Sequence, residues 1–400
     1  MANNALEAMR REVTQTLKAL IREHGPRRSG SKSCNACSES LHAHAQNFAD
    51  AVSREHFYVH SGAFLGWIRI LVVCYLAGVA FMWANLPLIA IGLSAFGILL
   101  MIFQFFFYLP VLDPFFRKRD AHNVIATVEP QKEATKHVLI TGHHDSARIF
   151  NFFIHQPTLY ALRVNGSIVF MLLLLLFSLF GLFVSGANDL YLLMRIILSL
   201  GVLLVAQMWF FASKKATPGA GDNLASSLLA FGIAKHFKAH PLKNTRISAI
   251  SFDAEEEGLR GARAYVKKHK KALHQLPTHV INLECLYDEK ALSLLTSDIN
   301  GFVKLDTPLA TTLSKHASQN GFNVPLKPLA FLTGGTDAGM FGRINIPATT
   351  LFGMKWSNAA RDAGYHTMED TPKRVSKRAL DIASKTIVDT IEAYDKQTKK

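Results

Sequence analysis

The stretch I-S-A-I-S-F-D-A-E-E-E-G-L-R-G, residues 247–261, decides the fold of this chain. Residues 247–252 form an apolar run of strand length, and three glutamates follow almost directly. A run this apolar indicates a strand buried on both faces of a sheet. An acidic triplet is usually a solvated turn, but the carboxyl end of a buried strand is where ligands gather in α/β sheets. The stretch therefore predicts a candidate site at one edge of such a sheet.

Strands and helices of this kind alternate through most of the chain beyond residue 113. Apolar runs of strand length also occur at residues 124–128, 138–141, 279–283, 292–295 and 348–352. Helical patterns lie at residues 223–238, 261–273, 308–320 and 377–394. The alternation predicts an α/β domain with a mixed, mostly parallel sheet flanked by helices.

Two other strand ends carry residue types that bind metals. The strand at 138–141 runs into G-H-H-D-S, which puts His143 near its tip and Asp145 two residues on. A carboxylate at Asp145 can hold the second ring nitrogen of a metal-bound histidine. The motif N-L-E puts Glu284 at the end of the next strand. H-x-D alone is more typical of an ordinary surface or core histidine, but three such strand ends together predict one site.

The adjacent residues Glu255 and Glu256 have a specific physical sense at a metal site. Successive side chains that leave a strand point in different directions. One carboxylate can therefore bind an ion while its neighbour stays free for a water molecule on that ion. Zinc lowers the pKa of such a water towards about 7, and a free carboxylate can accept its proton. The pair predicts a metal ligand beside a general base.

The motifs, in their order along the chain, resemble those of metallopeptidase family twenty-eight, the co-catalytic zinc aminopeptidases. They are P-G-A-G-D-N before a helix, A-E-E-E-G-L-R-G-A after a strand, N-L-E, and Y-H-T-M-E-D-T. The resemblance covers the chain from Asn123 onward, apart from an insertion, and implies the zinc exopeptidase fold. Glutamate carboxypeptidase and, as a close relative, glutaminyl cyclase fall in the same group.

The resemblance implies two zinc ions per chain and a ligand set for each. His143 and Glu284 would bind one ion, and Glu256 and His366 would bind the other. Asp222 would bridge both ions. Glu284 stands where simple aminopeptidases usually have aspartate, and zinc binds either carboxylate. Gly221 replaces an acidic residue often found before the bridging aspartate. Manganese or cobalt also binds mixed nitrogen and oxygen ligands of this kind.

The resemblance also implies catalytic roles. Glu255 would be the general base that activates water and later protonates the leaving amine, and Asp145 would orient the histidine ligand. Tyr365 would stabilise the oxyanion, as in some relatives, with packing of its ring as the alternative. Asp337 lies in G-G-T-D-A-G-M-F, which resembles the S-D-H segment of the family without its histidine. Asp337 is therefore a candidate for supporting a ligand or contacting substrate.

Long uncharged segments predict four transmembrane helices in two hairpins. Between Arg69 and Asp113 lie 43 residues without acidic or basic side chains. At about 1.5 Å per helical residue, this length crosses a hydrocarbon core of roughly 30 Å twice. We place these helices near residues 64–83 and 86–109. Two further runs, 164–188 and 196–213, are separated by a short polar turn and Arg195. Buried core helices are the alternative, which runs of about 18 or more residues disfavour.

The predicted organisation follows from these segments. Residues 1–60 form a basic cytoplasmic N-terminal segment, residues 61–112 the first hairpin, and residues 113–400 the zinc peptidase domain, interrupted by the second hairpin at 164–213. His143 and Asp222 are 79 residues apart, and the whole second hairpin lies between them. Simple soluble members of the family join these two motifs by a short loop, so the insertion tethers the catalytic domain from within.

The distribution of positive charge predicts the orientation. The net charge is +14, and lysine and arginine concentrate in the first 60 residues and between the hairpins rather than at the hairpin tips. By the positive-inside rule, both termini and the catalytic domain of this multi-pass protein face the cytoplasm. Attraction to anionic lipid at the inner surface accounts for the excess charge. The sequence has no basic stripe interleaved with aromatic residues, so we expect no nucleic-acid binding.

The N-terminal region carries two further features. Residues 5–24 have an amphipathic helical pattern, which predicts either a helix lying on the membrane or a surface helix packed on its neighbours. No secretory signal is visible in the first 60 residues. The four cysteines argue against a disulfide framework. Cys34 and Cys37 form C-x-x-C with His42 and His44 close behind, a candidate small zinc or redox site in a Ser- and Gly-rich stretch.

Together the motifs predict a membrane-anchored di-zinc exopeptidase. The favoured kind of exopeptidase is an aminopeptidase that acts on peptides at the cytoplasmic side. Expected partners are a peptide substrate and the lipid bilayer. Two alternatives stay open. One is a glutaminyl cyclase-like acyltransferase, although such enzymes typically work with one zinc ion and G-L-R-G fits the peptidases better. The other is a non-catalytic membrane scaffold, which the intact set of ligands and base disfavours.

Overall fold

The computed structural model describes residues 2–184, 186, 188–357 and 361–397. The chain divides into two compact units. Unit 1 comprises Met1–Val59, Lys118–Ile149 and Lys215–Lys400, and unit 2 comprises His60–Arg117 and Phe150–Lys214. The chain thus passes from one unit to the other four times. The basic N-terminal segment, predicted to be separate, belongs to the same unit as the metal-ligand motifs.

Twelve strands are present among the described residues, and eight of them form one sheet of order β1-β2-β6-β3-β7-β12-β8-β11. The strands are β1 (Ala51–His60), β2 (Lys118–Val128), β3 (Lys136–His143), β4 (Arg148–Phe150), β5 (Ala212–Ala216), β6 (Thr245–Phe252), β7 (Thr278–Glu284), β8 (Ser293–Leu295), β9 (Ser297–Asp298), β10 (Val303–Lys304), β11 (Leu326–Lys327) and β12 (Ala348–Phe352).

The central strands of this sheet run in the same direction. β6 pairs in parallel with β3, β3 with β7, and β7 with β12. β2 is antiparallel to β6, and β8 is antiparallel to β12. The sheet is therefore mixed and mostly parallel, as predicted. The two edge strands of this sheet were not predicted. The charged sequence of β1, A-V-S-R-E-H-F-Y-V-H, does not show the apolar run of a buried strand, and β11 has only two residues, Leu326 and Lys327.

Helices of unit 1 flank the sheet, and those predicted from the sequence lie close to their predicted positions. The described residues contain twelve α-helices in all. They are α1 (Ala2–His24), α2 (Lys32–Gln46), α3 (Ala63–Trp83), α4 (Pro87–Met101), α5 (Asn151–Ile154), α6 (Tyr160–Phe180), α7 (Asp189–Val205), α8 (Ala225–Ala239), α9 (Arg260–Leu273), α10 (Thr307–Gln319), α11 (Ala338–Gly342) and α12 (Lys377–Lys396). Alternate residues of each strand point to opposite faces. Ile247 and Ala249 of β6 face the core formed with α8, whereas Phe252 packs against Tyr265 of α9.

The amphipathic N-terminal helix packs on protein. The apolar residues of α1 are buried in the core that also contains the α8 residues Leu228 and Phe231, and they are Leu6, Met9, Val13, Leu17 and Leu20. Because this apolar stripe is covered by α8, the alternative of a helix lying on the membrane is wrong for these residues. The helix is part of unit 1.

Among its described residues, unit 2 contains four helical segments long and apolar enough to cross a membrane. They are Ala63–Trp83, Pro87–Phe106, Pro157–Phe180 and Asp189–Phe210, each with a mean hydropathy above 2. Small residues let these helices approach closely, since an added Cβ at Gly97 of α4 would lie 2.3 Å from Met171 of α6. Large apolar side chains remain exposed around the outside, including Leu88, Leu203 and Phe210. This is the surface expected of helices that face lipid.

The turn of the second hairpin lies earlier than predicted. The prediction placed it between residues 188 and 196, because Asn188, Asp189 and Arg195 interrupt the apolar pattern. Helix α6 instead ends at Phe180, and α7 begins at Asp189 with Asn188 as its N-cap. Arg195 lies inside α7, where its guanidinium donates to Gly186 O at 2.6 Å and Asn85 Oδ1 at 3.2 Å. These hydrogen bonds give partners to the guanidinium of this helical residue, whereas the sequence pattern alone assigns Arg195 to a loop.

Candidate metal centre

Three parallel strands deliver the candidate ligands to one edge of the sheet. His143 is the last residue of β3 and pairs with Phe252, the last residue of β6. Glu255 and Glu256 follow three and four residues later. Glu284 ends β7, which is parallel to β3. The parallel register therefore accounts for the convergence of groups that are far apart in the sequence.

A first set of groups surrounds His143. Its Nε2 lies 3.3 Å from Asp222 Oδ1, 3.4 Å from Glu284 Oε1 and 3.8 Å from Glu255 Oε2. The imidazole is fully buried, and Asp222 and Glu284 are nearly so.

A second set of groups surrounds His366. Its Nε2 lies 3.3 Å from Asp222 Oδ2 and 3.5 Å from Glu256 Oε1. Asp222 thus turns one carboxylate oxygen towards each histidine.

The separations between these atoms fit metal ligation better than direct ion pairing. A charge-assisted hydrogen bond between an imidazolium and a carboxylate has a length of about 2.7–2.9 Å. Two donors about 2.0–2.1 Å from one tetrahedral zinc ion lie about 3.3 Å apart. The observed separations of 3.3–3.5 Å within each ligand set match the second geometry. Among the described residues, the buried His143 Nε2 also has no hydrogen-bond partner. The donor types and spacings therefore fit zinc.

The electrostatics of the cluster favour cations. Burial raises the pKa of Glu255, Glu256 and Glu284 above the usual range of glutamate, and neighbouring carboxylates raise it further. Burial also opposes ionisation of Asp222, but its two histidine neighbours outweigh burial and lower the pKa of this carboxyl. Carboxylates this crowded and buried repel one another unless positive charge lies between them.

Asp145 contacts both the His143 ring and the loop that carries Glu255 and Glu256. Its Oδ1 lies 3.2 Å from His143 Nδ1 and accepts from the backbone N–H of Glu255 at 3.1 Å. Its Oδ2 accepts from the backbone N–H of Glu256 at 3.2 Å. A carboxylate on the far nitrogen of a histidine fixes which nitrogen is free for the metal. The same side chain also holds the loop that carries the two glutamates.

The loop of Asp222 is held by residues to which the sequence analysis gave no role. Asp370 Oδ1 accepts from Gly221 N at 2.7 Å, and Asp370 Oδ2 accepts from Asp222 N at 3.2 Å. Asn223 donates to Leu283 O at 2.9 Å and so ties the loop to the end of β7. Asp370 is the last acidic residue of Y-H-T-M-E-D-T, so its place in that motif was the available signal.

Gly221 has a steric reason to be glycine. A Cβ atom at this position would lie 2.1 Å from Cε1 of Tyr287, far inside a van der Waals contact. The ring of Tyr287 therefore occupies the space next to the loop where family members often have an acidic side chain.

Strained backbone surrounds the candidate ligands. Ala254, Cys285 and His366 have positive φ angles of 61°, 51° and 54°. Each such residue costs about 1–3 kcal/mol and persists only where its surroundings hold it. Ala254 precedes Glu255, Cys285 follows Glu284, and His366 is itself a candidate ligand. The strain lies where the chain must reverse to aim these side chains inward.

Two other candidate residues show a different environment. The ring of Tyr365 packs on the imidazole of His366, with centroids 4.0 Å apart, and on Trp356 at 6.3 Å. The structure thus gives Tyr365 a packing contact, and its oxyanion role stays a prediction. Asp337 is fully buried, and neither of its carboxylate oxygens has a hydrogen-bond partner among the described residues. Burial raises the pKa of Asp337, as do Glu284 and Asp145.

Comparisons with known proteins agree with this geometry. Residues 207–391 match the family model of Peptidase family M28. The chain is similar in structure to a Zn-dependent exopeptidase from Parabacteroides distasonis, with a TM-score of 0.59, 13% identity, and coverage of 96% of this chain and 97% of that chain. It is also similar to BSAP, a zinc aminopeptidase from Bacillus subtilis, with a TM-score of 0.59, 15% identity, and coverage of 97% and 96%.

A glutaminyl cyclase from Porphyromonas gingivalis is similar as well, with a TM-score of 0.58, 14% identity, and coverage of 96% of this chain and 98% of that chain. At these identities the similarity shows the zinc exopeptidase fold. A search of curated protein sequences finds no match.

Proposed function

We propose that this chain, whose residues 207–391 belong to Peptidase family M28, is a membrane-anchored di-zinc aminopeptidase. The observation that carries the proposal is the position of Asp222, whose two oxygens each lie 3.3 Å from a different histidine. A bridging carboxylate is the feature that a two-ion site needs and a one-ion site does not.

The residues that would hold two zinc ions divide into two sets that share Asp222. His143 and Glu284 would bind one ion, and Glu256 and His366 would bind the other. When bound, zinc polarises a carbonyl group and makes water more acidic. A manganese or cobalt ion could take the same ligands.

Glu255 is the residue we assign as general base. Its carboxylate borders the set around His143, 3.8 Å from Nε2, and is not needed as a ligand by either set. Its side chain keeps more exposure than those of Glu284 or Asp222, so water and substrate can reach it. Burial and nearby carboxylates raise the pKa of Glu255, which favours a group that both accepts and returns a proton.

The charge balance supports release of residues from the N-terminus of a peptide. Six carboxylates lie in or beside the cluster, and they are Asp145, Asp222, Glu255, Glu256, Glu284 and Asp337. When all six are ionised, two divalent ions neutralise only four of their negative charges. The remaining negative potential attracts the α-ammonium group of a peptide and repels a terminal carboxylate. We therefore favour an aminopeptidase over a carboxypeptidase.

Membrane anchoring at the cytoplasmic side completes the proposal. The four apolar helices of unit 2 support integration into a bilayer. The concentration of lysine and arginine outside the hairpin tips supports a cytoplasmic position for unit 1.

One alternative has an observation of its own, because a solved structure with this fold is a glutaminyl cyclase. A cyclase would release ammonia from an N-terminal glutamine and leave every peptide bond intact. The test therefore offers the purified chain, in mild detergent, both aminoacyl reporter amides and a peptide with N-terminal glutamine. Cleavage of the amides supports the peptidase, and ammonia release without cleavage supports the cyclase. A chelator should abolish either activity, and zinc should restore it.

The variant Glu255→Gln tests the assigned base. We expect kcat to fall by about 10²–10⁴-fold because the proton acceptor is lost, while bound zinc stays at two per chain. The matched control is Glu257→Gln, two residues further along the same loop. Glu257 Oε1 lies 3.4 Å from Arg28 Nε and does not face the cluster. This control should retain activity. Full activity in Glu255→Gln would refute the assigned mechanism.

A further inference from the structure

A second group of metal-binding side chains lies in unit 1 and shares no residue with the ligand sets above. Cys34, His144 and Asp253 offer a thiol sulfur, a ring nitrogen and a carboxylate oxygen that all lie within 4.8 Å of one another. All three side chains are fully buried.

The two groups share the same strand ends but use alternate residues. His143 faces the candidate catalytic cluster, and His144, the next residue, faces Ser251, which bonds in turn to Ser227 of α8. Asp253 likewise precedes Glu255 by two residues on the loop that leaves β6. Alternation of side chains along a strand accounts for this division. Cys34 comes from the first turn of α2, whose N-cap is Ser31.

The hydrogen bonds around His144 leave the lone pair of one ring nitrogen, Nε2, without a hydrogen-bond donor among the described residues. Ser251 Oγ donates to Ser227 Oγ at 2.8 Å, so it can only accept from His144 Nδ1, which lies 2.9 Å away. The proton of the neutral imidazole is therefore on Nδ1. Its Nε2 is then an unprotonated acceptor, and this buried atom has no hydrogen-bond partner among the described residues. An imidazole held through one nitrogen with the other nitrogen free is the usual state of a metal ligand.

The other two donors are also positioned by the surrounding chain. Asp253 Oδ2 accepts from the backbone N–H of His122 at 3.2 Å, and Asp253 Oδ1 accepts a hydrogen bond from the Cys34 thiol at 3.4 Å. Sulfur and oxygen ligands of one tetrahedral zinc ion lie about 3.5 Å apart. The thiol–carboxylate pair is therefore already at ligand spacing. The imidazole nitrogen lies within 4.8 Å of both atoms, so bringing it to ligand spacing needs a movement of at most about 1.5 Å.

We propose that Cys34, His144 and Asp253 bind one transition-metal ion, with zinc favoured by the sulfur, nitrogen and oxygen donor set. On binding, the Cys34 thiol gives up its proton to solvent, and the thiolate and the Asp253 carboxylate balance the two charges of the ion. The ion joins α2 to the ends of β3 and β6, which carry His143 and Glu255. This site is structural, and it is independent of the proposed peptidase activity.

The C-x-x-C motif thus contributes one ligand in a different way from the one predicted. His42 and His44, the partners expected from sequence, are not in the group, and distant residues replace them. Cys37 lies one turn along α2, is equally buried and reduced, and stands outside the group. Cys37 therefore supplies a matched control for Cys34.

The test is a cobalt titration of the full-length chain in detergent. The background is Cys285→Ser, because Cys285 Sγ lies 3.6 Å from Glu284 Oε1 and is the thiol nearest the candidate catalytic cluster. We expect a thiolate-to-cobalt charge-transfer band in the near ultraviolet that saturates by three equivalents, when the two ions of the candidate catalytic cluster and the one ion of this site are bound. The added change Cys34→Ser should abolish the band, and Cys37→Ser should leave it unchanged. Zinc bound per chain should also fall by one in Cys34→Ser relative to Cys37→Ser.

Two results would overturn the site. Absence of the charge-transfer band from the Cys285→Ser background does so without reference to any further variant, so a folding defect in Cys34→Ser cannot obscure the answer. Loss of the band in Cys37→Ser, or its survival in Cys34→Ser, assigns the thiolate to another cysteine. None of these readouts depends on hydrolysis, so a failure of the proposed peptidase activity would be seen separately.

Discussion

Asp145 illustrates how much of the candidate centre depends on one carboxylate that binds no metal. It faces His143 Nδ1 and accepts two backbone N–H groups from the glutamate loop. For Asp145→Asn we expect zinc affinity or kcat to fall by about 10–100-fold, because an amide offers one acceptor oxygen where two are used. Zinc affinity is measured by competition with a chelator, and kcat with reporter amides.

The control for this variant is Asp306→Asn, which alters the N-cap of α10. Asparagine caps a helix about as well as aspartate, so this variant should keep the stability and the zinc affinity of the wild type. Equal zinc affinities in the Asp145 and Asp306 variants would contradict a supporting role for Asp145.

Gly221 is sensitive for a steric reason. In Gly221→Ala the new methyl group would meet Tyr287 Cε1 at 2.1 Å, so the ring or the loop of Asp222 must move. We expect the free energy of unfolding to fall by about 1–3 kcal/mol and zinc affinity to fall with it. Both are measured on the same preparation, by denaturant titration and chelator competition.

A second change should rescue the Gly221 variant. Adding Tyr287→Leu to Gly221→Ala removes the aromatic ring that the new methyl group would meet. Zinc affinity should therefore recover in part in the double variant. The control is Gly92→Ala in α4, where an added Cβ meets no atom within 4 Å. Wild-type zinc affinity in Gly221→Ala alone would show that the loop absorbs the methyl group freely.

At the scale of the element, the N-terminal helix stabilises the catalytic unit. Leu17 of α1 is almost fully buried in the core shared with α8. We expect Leu17→Ala to lower the free energy of unfolding by about 2–5 kcal/mol, the usual cost of such a cavity. Pulse proteolysis across a urea series measures this without relying on activity. Lys18→Ala, which changes the exposed neighbour, should match the wild type. Equal stability of both variants would mean that α1 contributes little to the core.

The same elements show how far sequence reasoning reached. Strands such as β6 and β7 were predictable because apolar runs mark strands buried on both faces. The convergence of the candidate ligands was predictable because parallel strands end at the same edge of the sheet. The turn before α7 was placed wrongly, because the bonds that satisfy Arg195 come from Asn85 and Gly186. Asp370 was missed for a similar reason, since its contact with Gly221 spans 149 residues. Local patterns predict elements and their ends, whereas long-range polar contacts need the folded chain.

At the scale of the whole molecule, the orientation in the membrane can be tested with the cysteines the chain already has. Cys34, Cys37, Cys74 and Cys285 are all buried, so a membrane-impermeant thiol reagent should leave the wild type unlabelled. Cysteines introduced at exposed positions then report their side of the membrane. Leu86→Cys and Phe183→Cys mark the two hairpin tips, and Lys18→Cys marks the catalytic unit. Because positive charge is retained on the cytoplasmic side, intact cells should label only the tip variants. Lys18→Cys should label after permeabilisation. Labelling of Lys18→Cys in intact cells, with both tips protected, would reverse the orientation and put the candidate zinc centre outside the cell.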